Sequence, residues 1–147
     1  MKLVRKKKII LVSVKKDFKE SNIENLGAEL YSSINNGKKT NYSVNTDTIN
    51  SKIENFLGHF LHGLKLKSYV FNKYKTKKLT GQITINVIGN KNKSTTYNKL
   101  KFKALEEGTF YSRDLVSEPG NVLHPDEYAK RLNSLKKNGL KINIYDD

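Results

Sequence analysis

The chain has 147 residues, enough for one domain that buries roughly two-thirds of its unfolded surface. It has no cysteine, which excludes a disulfide framework and a thiolate site, and no apolar run approaches the ~20 residues that span a membrane. The formal net charge of +14 is uneven: residues 1–99 hold 20 Lys/Arg against 6 Asp/Glu, whereas residues 100–147 hold 8 of each. A basic half suits an anionic partner such as nucleic acid. The competing account is compositional, because lysine supplies nearly all the excess and Asn, Ile and Tyr are also abundant, as in AT-rich coding sequence.

The lysine-rich start carries the charge of a signal n-region, but the apolar run behind it, Ile9 to Val14, is broken by Ser13 and closed by Lys15-Lys16. That is too short for a signal core, so a soluble cytoplasmic protein without membrane association is expected. The same run, from Lys7 to Val14, reads as a strand buried on both faces of a parallel sheet. Ile23, Leu26, Leu30 and Ile34 then recur at helical spacing, and Asn35-Asn36-Gly37 ends that helix. Thr40 to Thr46 alternates as a short strand. Asp47-Thr48 offers a cap for an amphipathic helix carrying Ile49, Ile53, Phe56, Leu57, Phe60, Leu61 and Leu64. Lys73 to Lys78 is basic and turn-like. Gln82 to Ile88 alternates as a strand closed by Gly89-Asn90.

A long helix follows from about Tyr97, with Leu100, Ala104, Tyr111 and Leu115 in one apolar stripe and Leu105 and Val116 beside it. It must stop near Ser117, because Pro119 biases Glu118 out of the helical region and Gly120 comes next. Pro125-Asp126-Glu127 has the chemistry of a first helical turn. Asn138-Gly139 closes that second helix, and Lys141 to Tyr145 alternates like a strand. The order β-α-β-α-β-α-α-β predicts an α/β fold with a mixed or parallel sheet flanked by helices.

The wording of two segments is more specific than their periodicity. Ala104-Leu105-Glu106-Glu107-Gly108, running into Arg113-Asp114-Leu115-Val116-Ser117-Glu118-Pro119-Gly120-Asn121, resembles the interdomain segment of the leucyl aminopeptidase (cytosol aminopeptidase) family. Gly63-Leu64-x-Leu66-x-Ser68-Tyr69-x-Phe71-x-x-Tyr74-Lys75 is similar to a second stretch of that family. Ser112, Ser117 and His124 depart from the usual Ala, Asn and Thr. The resemblance runs from about Phe56 to Asp147. It implies an incomplete N-terminal α/β domain over residues 1–96, a linker helix and turn over 97–123, and the first helix and strand of a catalytic domain over 124–147. On this reading the chain is a truncated, non-catalytic piece that lacks the family's beginning and its catalytic motifs.

The family reaction, as the resemblance implies, removes N-terminal residues from peptides with two divalent metals (zinc or manganese), which activate water and polarise the scissile carbonyl. No carboxylate here matches the metal-ligand motifs, so no cofactor is expected in this chain, and a peptide substrate only in a complete protein. The implied partners are a homo-oligomer, hexameric in the family, or a separately encoded catalytic half. Arg113, Asp114, Glu118, Pro119 and Asn121 are the expected interdomain linker residues, with structural roles. Arg113 and Asp114 are adjacent and face different directions on the helix, so a salt bridge or helix-end contact suits them better than catalysis.

Lys73, Lys75, Lys77 and Lys78 interleave with Tyr69, Phe71 and Tyr74, the pattern of backbone neutralisation with base stacking. They are the candidate polyanion contacts of the alternative function, a stand-alone basic module that binds nucleic acid non-specifically. The plainer account is solvated lysines beside core aromatics. His59 and His62, three apart and preceded by Glu54, lack a third ligand at suitable spacing and read as core histidines rather than a metal site.

Overall fold

The computed structural model describes residues 9–15, 17–36, 38, 40–76 and 82–145. Its elements are α1 (Glu20–Ile34), β1 (Thr40–Asn45), α2 (Phe56–Lys67), β2 (Ile83–Ile88), α3 (Thr96–Ser117) and α4 (Pro125–Asn133), with 3-10 turns at Thr46–Thr48 and Ser134–Asn138. β1 and β2 pair in parallel, Thr40 against Ile83 through Asn45 against Ile88. A parallel pair needs a crossover, and α2 lies within it. Among the described residues the fold is therefore α/β, with four α-helices and a two-stranded parallel sheet.

The α1–α2 pair forms the centre. Ile23 and Ile34 from α1 and Leu57, Phe60 and Leu64 from α2 are buried, with Phe102 of α3 completing the core. The two helices touch backbone to backbone. A Cβ on Gly63 would sit 1.9 Å from the Glu24 carbonyl oxygen, and one on Gly27 would sit 2.0 Å from that of Phe60. On the other side of α2, the Phe102 ring occupies the space a Cβ on Gly58 would need. It lies 5.0 Å from the His59 ring and 5.2 Å from that of His62.

Three expectations are corrected. Ile9 to Lys15 carries no strand, and Ile9 and Leu11 are 82% and 91% exposed; residues 7 and 8 lie outside the described residues. Lys141 to Tyr145 is likewise irregular. An apolar run encodes a wish for burial, but a strand also needs a neighbouring ladder, and neither segment has one among the described residues. The second helix begins at Phe56, not near Ile49. Asn55 holds a left-handed φ of 53° at its N-cap, while the Thr46–Thr48 turn is locked by Thr46 Oγ1 donating to the Ile88 carbonyl and by Asp47 accepting from the Asn90 and Lys91 amides. The apolar stripe on α3 lies away from the core. Leu100 is 63% exposed and Val116 87%, because α3 packs through the opposite face that carries Phe102.

Candidate functional site

The residues read as a linker converge where α3 ends. α3 stops at Ser117 as Pro119 requires, with Glu118 extended at its C-cap and the Glu118 amide donating to the Asp114 carbonyl over 3.1 Å. The turn then closes on itself: the Pro119 carbonyl accepts from the Val122 and Leu123 amides at 2.9 and 3.0 Å. His124 follows as N-cap, and Pro125 opens α4. Asn121 is exposed within this turn.

Glu118 is the hub. Its side chain is 1% exposed, yet it is a carboxylate with three donors from two other segments. Lys73 Nζ donates to Oε1, the Tyr74 hydroxyl donates to Oε2, and Arg131 Nη1 of α4 donates to Oε1 at 2.9 Å. Arg131 Nε also donates to Glu127 Oε1 at 3.0 Å. The Lys73 ammonium, then the Tyr74 hydroxyl and Arg131, hold the Glu118 carboxyl down to about 2. Glu127 is lowered by its bond to Arg131. One turn earlier, Asp114 Oδ1 accepts from the Tyr69 hydroxyl at 2.7 Å, and Arg113 lies over the Tyr69 ring and donates to the Leu66 carbonyl at 2.6 Å. Arg113 and Asp114 face apart, as their adjacency requires, and still grip one tyrosine from two sides.

A buried carboxylate saturated by cations and a hydroxyl is ionised at neutral pH and has no proton to exchange there. Chemically the cluster is an anchor. It ties the segment after α2, the end of α3 and α4 into one joint. Of the candidate polyanion residues, Lys73 is committed to Glu118, Lys75 is exposed, and Lys77 and Lys78 lie outside the described residues. The sequence reading treated Tyr69 and Tyr74 as packing aromatics and did not single out Arg131. Only the Glu127–Arg131 spacing of four was visible in advance.

Of the α2 histidines, His59 is hydrogen-bonded within the domain, whereas the buried His62 Nδ1 has no hydrogen-bond partner among the described residues. His59 Nδ1 lies 2.9 Å from Glu24 Oε1 and its Nε2 3.7 Å from Glu20 Oε2, while His62 Nδ1 faces Glu106 at 3.8 Å. Burial of Glu106 raises its carboxyl above the ordinary value. Among the described residues no group of three His, Asp or Glu side chains is arranged to hold a metal ion. The two-metal centre that the resemblance implies therefore does not fit the residues described.

Comparison with known proteins bears on the same segments. No protein-family model matches the chain. Probable cytosol aminopeptidases do: that of Ehrlichia ruminantium is 31% identical over 147 residues, 95% of this chain and 28% of the relative. Those of Clostridium perfringens and Methylorubrum extorquens are both 36% identical, over 65% and 59% of this chain and 21% and 18% of the relatives. The chain is homologous to part of a cytosol aminopeptidase. It spans between 18% and 28% of the length of these curated cytosol aminopeptidases. Among solved structures, a bottromycin maturation enzyme, BotP, superposes with a TM-score of 0.63 over 85% of this chain and 27% of its own, at 16% identity. That likeness establishes the fold alone. No helix among the described residues is long and apolar enough to cross a membrane.

Proposed function

We propose that these residues form the non-catalytic N-terminal domain and interdomain joint of a leucyl aminopeptidase-like protein that acts in the cytoplasm. The observation that carries the reading is the alignment with the Ehrlichia ruminantium cytosol aminopeptidase, which takes in 95% of this chain but 28% of the relative. The Glu118 cluster supports it, because a joint that must hold two bodies at a fixed angle needs buried, directional contacts at the helix end rather than a flexible linker. Arg113, Asp114, Glu118 and Pro119 act in positioning, and Asn121 lies in the turn that follows them.

Metal-assisted release of N-terminal residues is then the task of a catalytic portion carried elsewhere, in the same polypeptide or in a separate chain that docks on this one. Assembly into a larger homo-oligomer is part of the same proposal. The test is aminopeptidase activity of these residues alone, with leucine p-nitroanilide and saturating zinc or manganese. No release of nitroaniline is expected. Turnover that tracks the purified chain would overturn the non-catalytic assignment.

A further inference from the structure

A cleft of about 440 Å³ lies where α1, α2 and the end of α3 meet. That volume is within the usual range of a small-ligand site, roughly 300–1,000 Å³. α1 lines it with Glu24 and Asn25, α2 with Gly63 and Lys67, and Tyr69 and Arg113 complete the wall. Gly63 is where α1 and α2 touch backbone to backbone, so no side chain fills the cleft from that point. Apart from Ala28 and Leu66, every side chain of the lining is polar or charged, and an apolar ligand has little to gain there. Much of the hydrogen-bonding capacity of this lining is unused. Arg113 has five N–H donors, and among the described residues it spends one, Nη1, on the Leu66 carbonyl at 2.6 Å. Its guanidinium also lies 5.5 Å from the centre of the Tyr69 ring. Both contacts are with the cleft wall, so the cation is held at the cleft rather than swinging free. Lys67 is exposed, and neither its ammonium nor the Asn25 carboxamide has a partner among the described residues. Glu24 commits Oε1 to His59 Nδ1 at 2.9 Å, while its Oε2 makes no hydrogen bond among them.

We propose that this cleft binds a small zwitterion with one carboxylate and one ammonium group, the class of the free α-amino acids. The charges of the lining select that class. Arg113 and Lys67 receive the carboxylate, because the unused edge of the guanidinium matches two carboxylate oxygens and the lysine adds a third charge-assisted donor. Glu24 Oε2 receives the ammonium, and the Asn25 carboxamide supplies a further donor and acceptor. Either charge alone meets an obstacle. A plain anion such as phosphate faces the Glu24 carboxylate, and a plain cation faces Arg113 and Lys67. A zwitterion pairs with both, so discrimination comes from repulsion of the single-charge ligands as well as from attraction. The cleft is open to water, which screens the pairs and keeps the affinity modest, with a Kd of about 1 mM. Arg113 keeps its contacts with Leu66 and Tyr69 throughout, so binding adds to its place in the joint and does not compete with it. The proposal stands independently of the aminopeptidase reading.

The isotope-labelled full chain is titrated with L-alanine, acetate, methylamine and inorganic phosphate, with the Asn25 and Gly63 amide shifts followed by NMR. L-alanine is expected to saturate those shifts with a Kd of about 1 mM, and each single-charge ligand to bind at least about tenfold more weakly. Lys67→Ala is expected to weaken L-alanine about tenfold. Lys67 is exposed and unpartnered among the described residues, so its loss leaves the fold intact. Glu24→Gln is expected to weaken L-alanine while leaving acetate unchanged or tighter. Shifts that do not saturate by about 50 mM L-alanine, or acetate or phosphate bound as tightly as L-alanine, would overturn the proposal. So would L-alanine binding that ignores Lys67→Ala, or acetate weakened by Glu24→Gln as much as L-alanine.

Discussion

Gly63→Ala is expected to unfold the α1–α2 pair in part, against the ordinary helical preference. In an open helix, alanine for glycine stabilises by about 0.5–1 kcal/mol. At Gly63 the new Cβ meets the Glu24 carbonyl oxygen at 1.9 Å, its carbon at 2.5 Å and its Cα at 2.6 Å, all backbone atoms of the facing helix. An ordinary carbon contact lies near ~3.5 Å, so the helices must part by roughly 1.5 Å. A gap of that size forfeits at least half the dispersion between the facing surfaces, which include Ile23, Phe60 and Leu64. Overpacking of this kind costs about 3 kcal/mol, the upper end of the usual range because no side chain can rotate away. Subtracting the propensity gain leaves a net loss of about 2 kcal/mol, or a fall in Tm of about 4–8 °C for a chain of this size. Gly108→Ala, with nothing within 4 Å, is the matched control and should raise Tm by about 1–4 °C. Differential scanning calorimetry of both variants decides it. Should Gly63→Ala stabilise as Gly108→Ala does, the close helix crossing is wrong.

Glu118→Gln should lower Tm at pH 7, and the deficit should shrink in acid. The folded carboxyl is depressed to about 2 from 4.5, so its contribution is complete above about 4.5 and is lost as pH falls towards 2. A thermal series from pH 7 to pH 2 checks this, and a deficit independent of pH would contradict it. Glu106 has the opposite sign. Burial raises its folded carboxyl, so protonation favours the fold, and Glu106→Gln should raise Tm at pH 7 with the advantage vanishing in acid. The basic half should give only salt-labile binding: fluorescence-anisotropy titration with a single-stranded oligonucleotide is expected to show affinity at low salt that disappears by physiological salt. Binding that persisted there and fell on Lys75→Ala would favour the nucleic-acid module instead.

Helix α1, both strands of the sheet, the end of α3 at Ser117 and the proline start of α4 were legible in sequence, because each rests on local rules of period, caps and turns. What misled was information about partners. Ile9–Val14 and Lys141–Tyr145 have strand composition, but pairing depends on neighbours that local sequence does not contain. The α3 stripe was legible as apolar, but apolar spacing marks a surface to be covered without saying by what. Gly27 and Gly63 gave no sign of their contact, which arises only when two helices distant in sequence cross. At the joint, the residues Arg113, Asp114 and Glu118 were found through wording shared with a family. Their gripping of Tyr69, and the meeting of Glu118 with Lys73, Tyr74 and Arg131, depends on a turn angle that spacing does not encode.

The most direct test of the domain assignment is replacement. Residues 9–124 of this chain are substituted for the matching segment of the Clostridium perfringens cytosol aminopeptidase, and the chimera is assayed for assembly and for hydrolysis of leucine p-nitroanilide beside its parent. The account predicts a folded chimera that retains activity within about tenfold of the parent, and that loses assembly when Glu118→Ala leaves Lys73 and Arg131 unpaired. A chimera that folds and assembles but is inactive, or one whose activity and assembly ignore Glu118→Ala, would contradict the assignment of these residues as the domain and joint of an aminopeptidase.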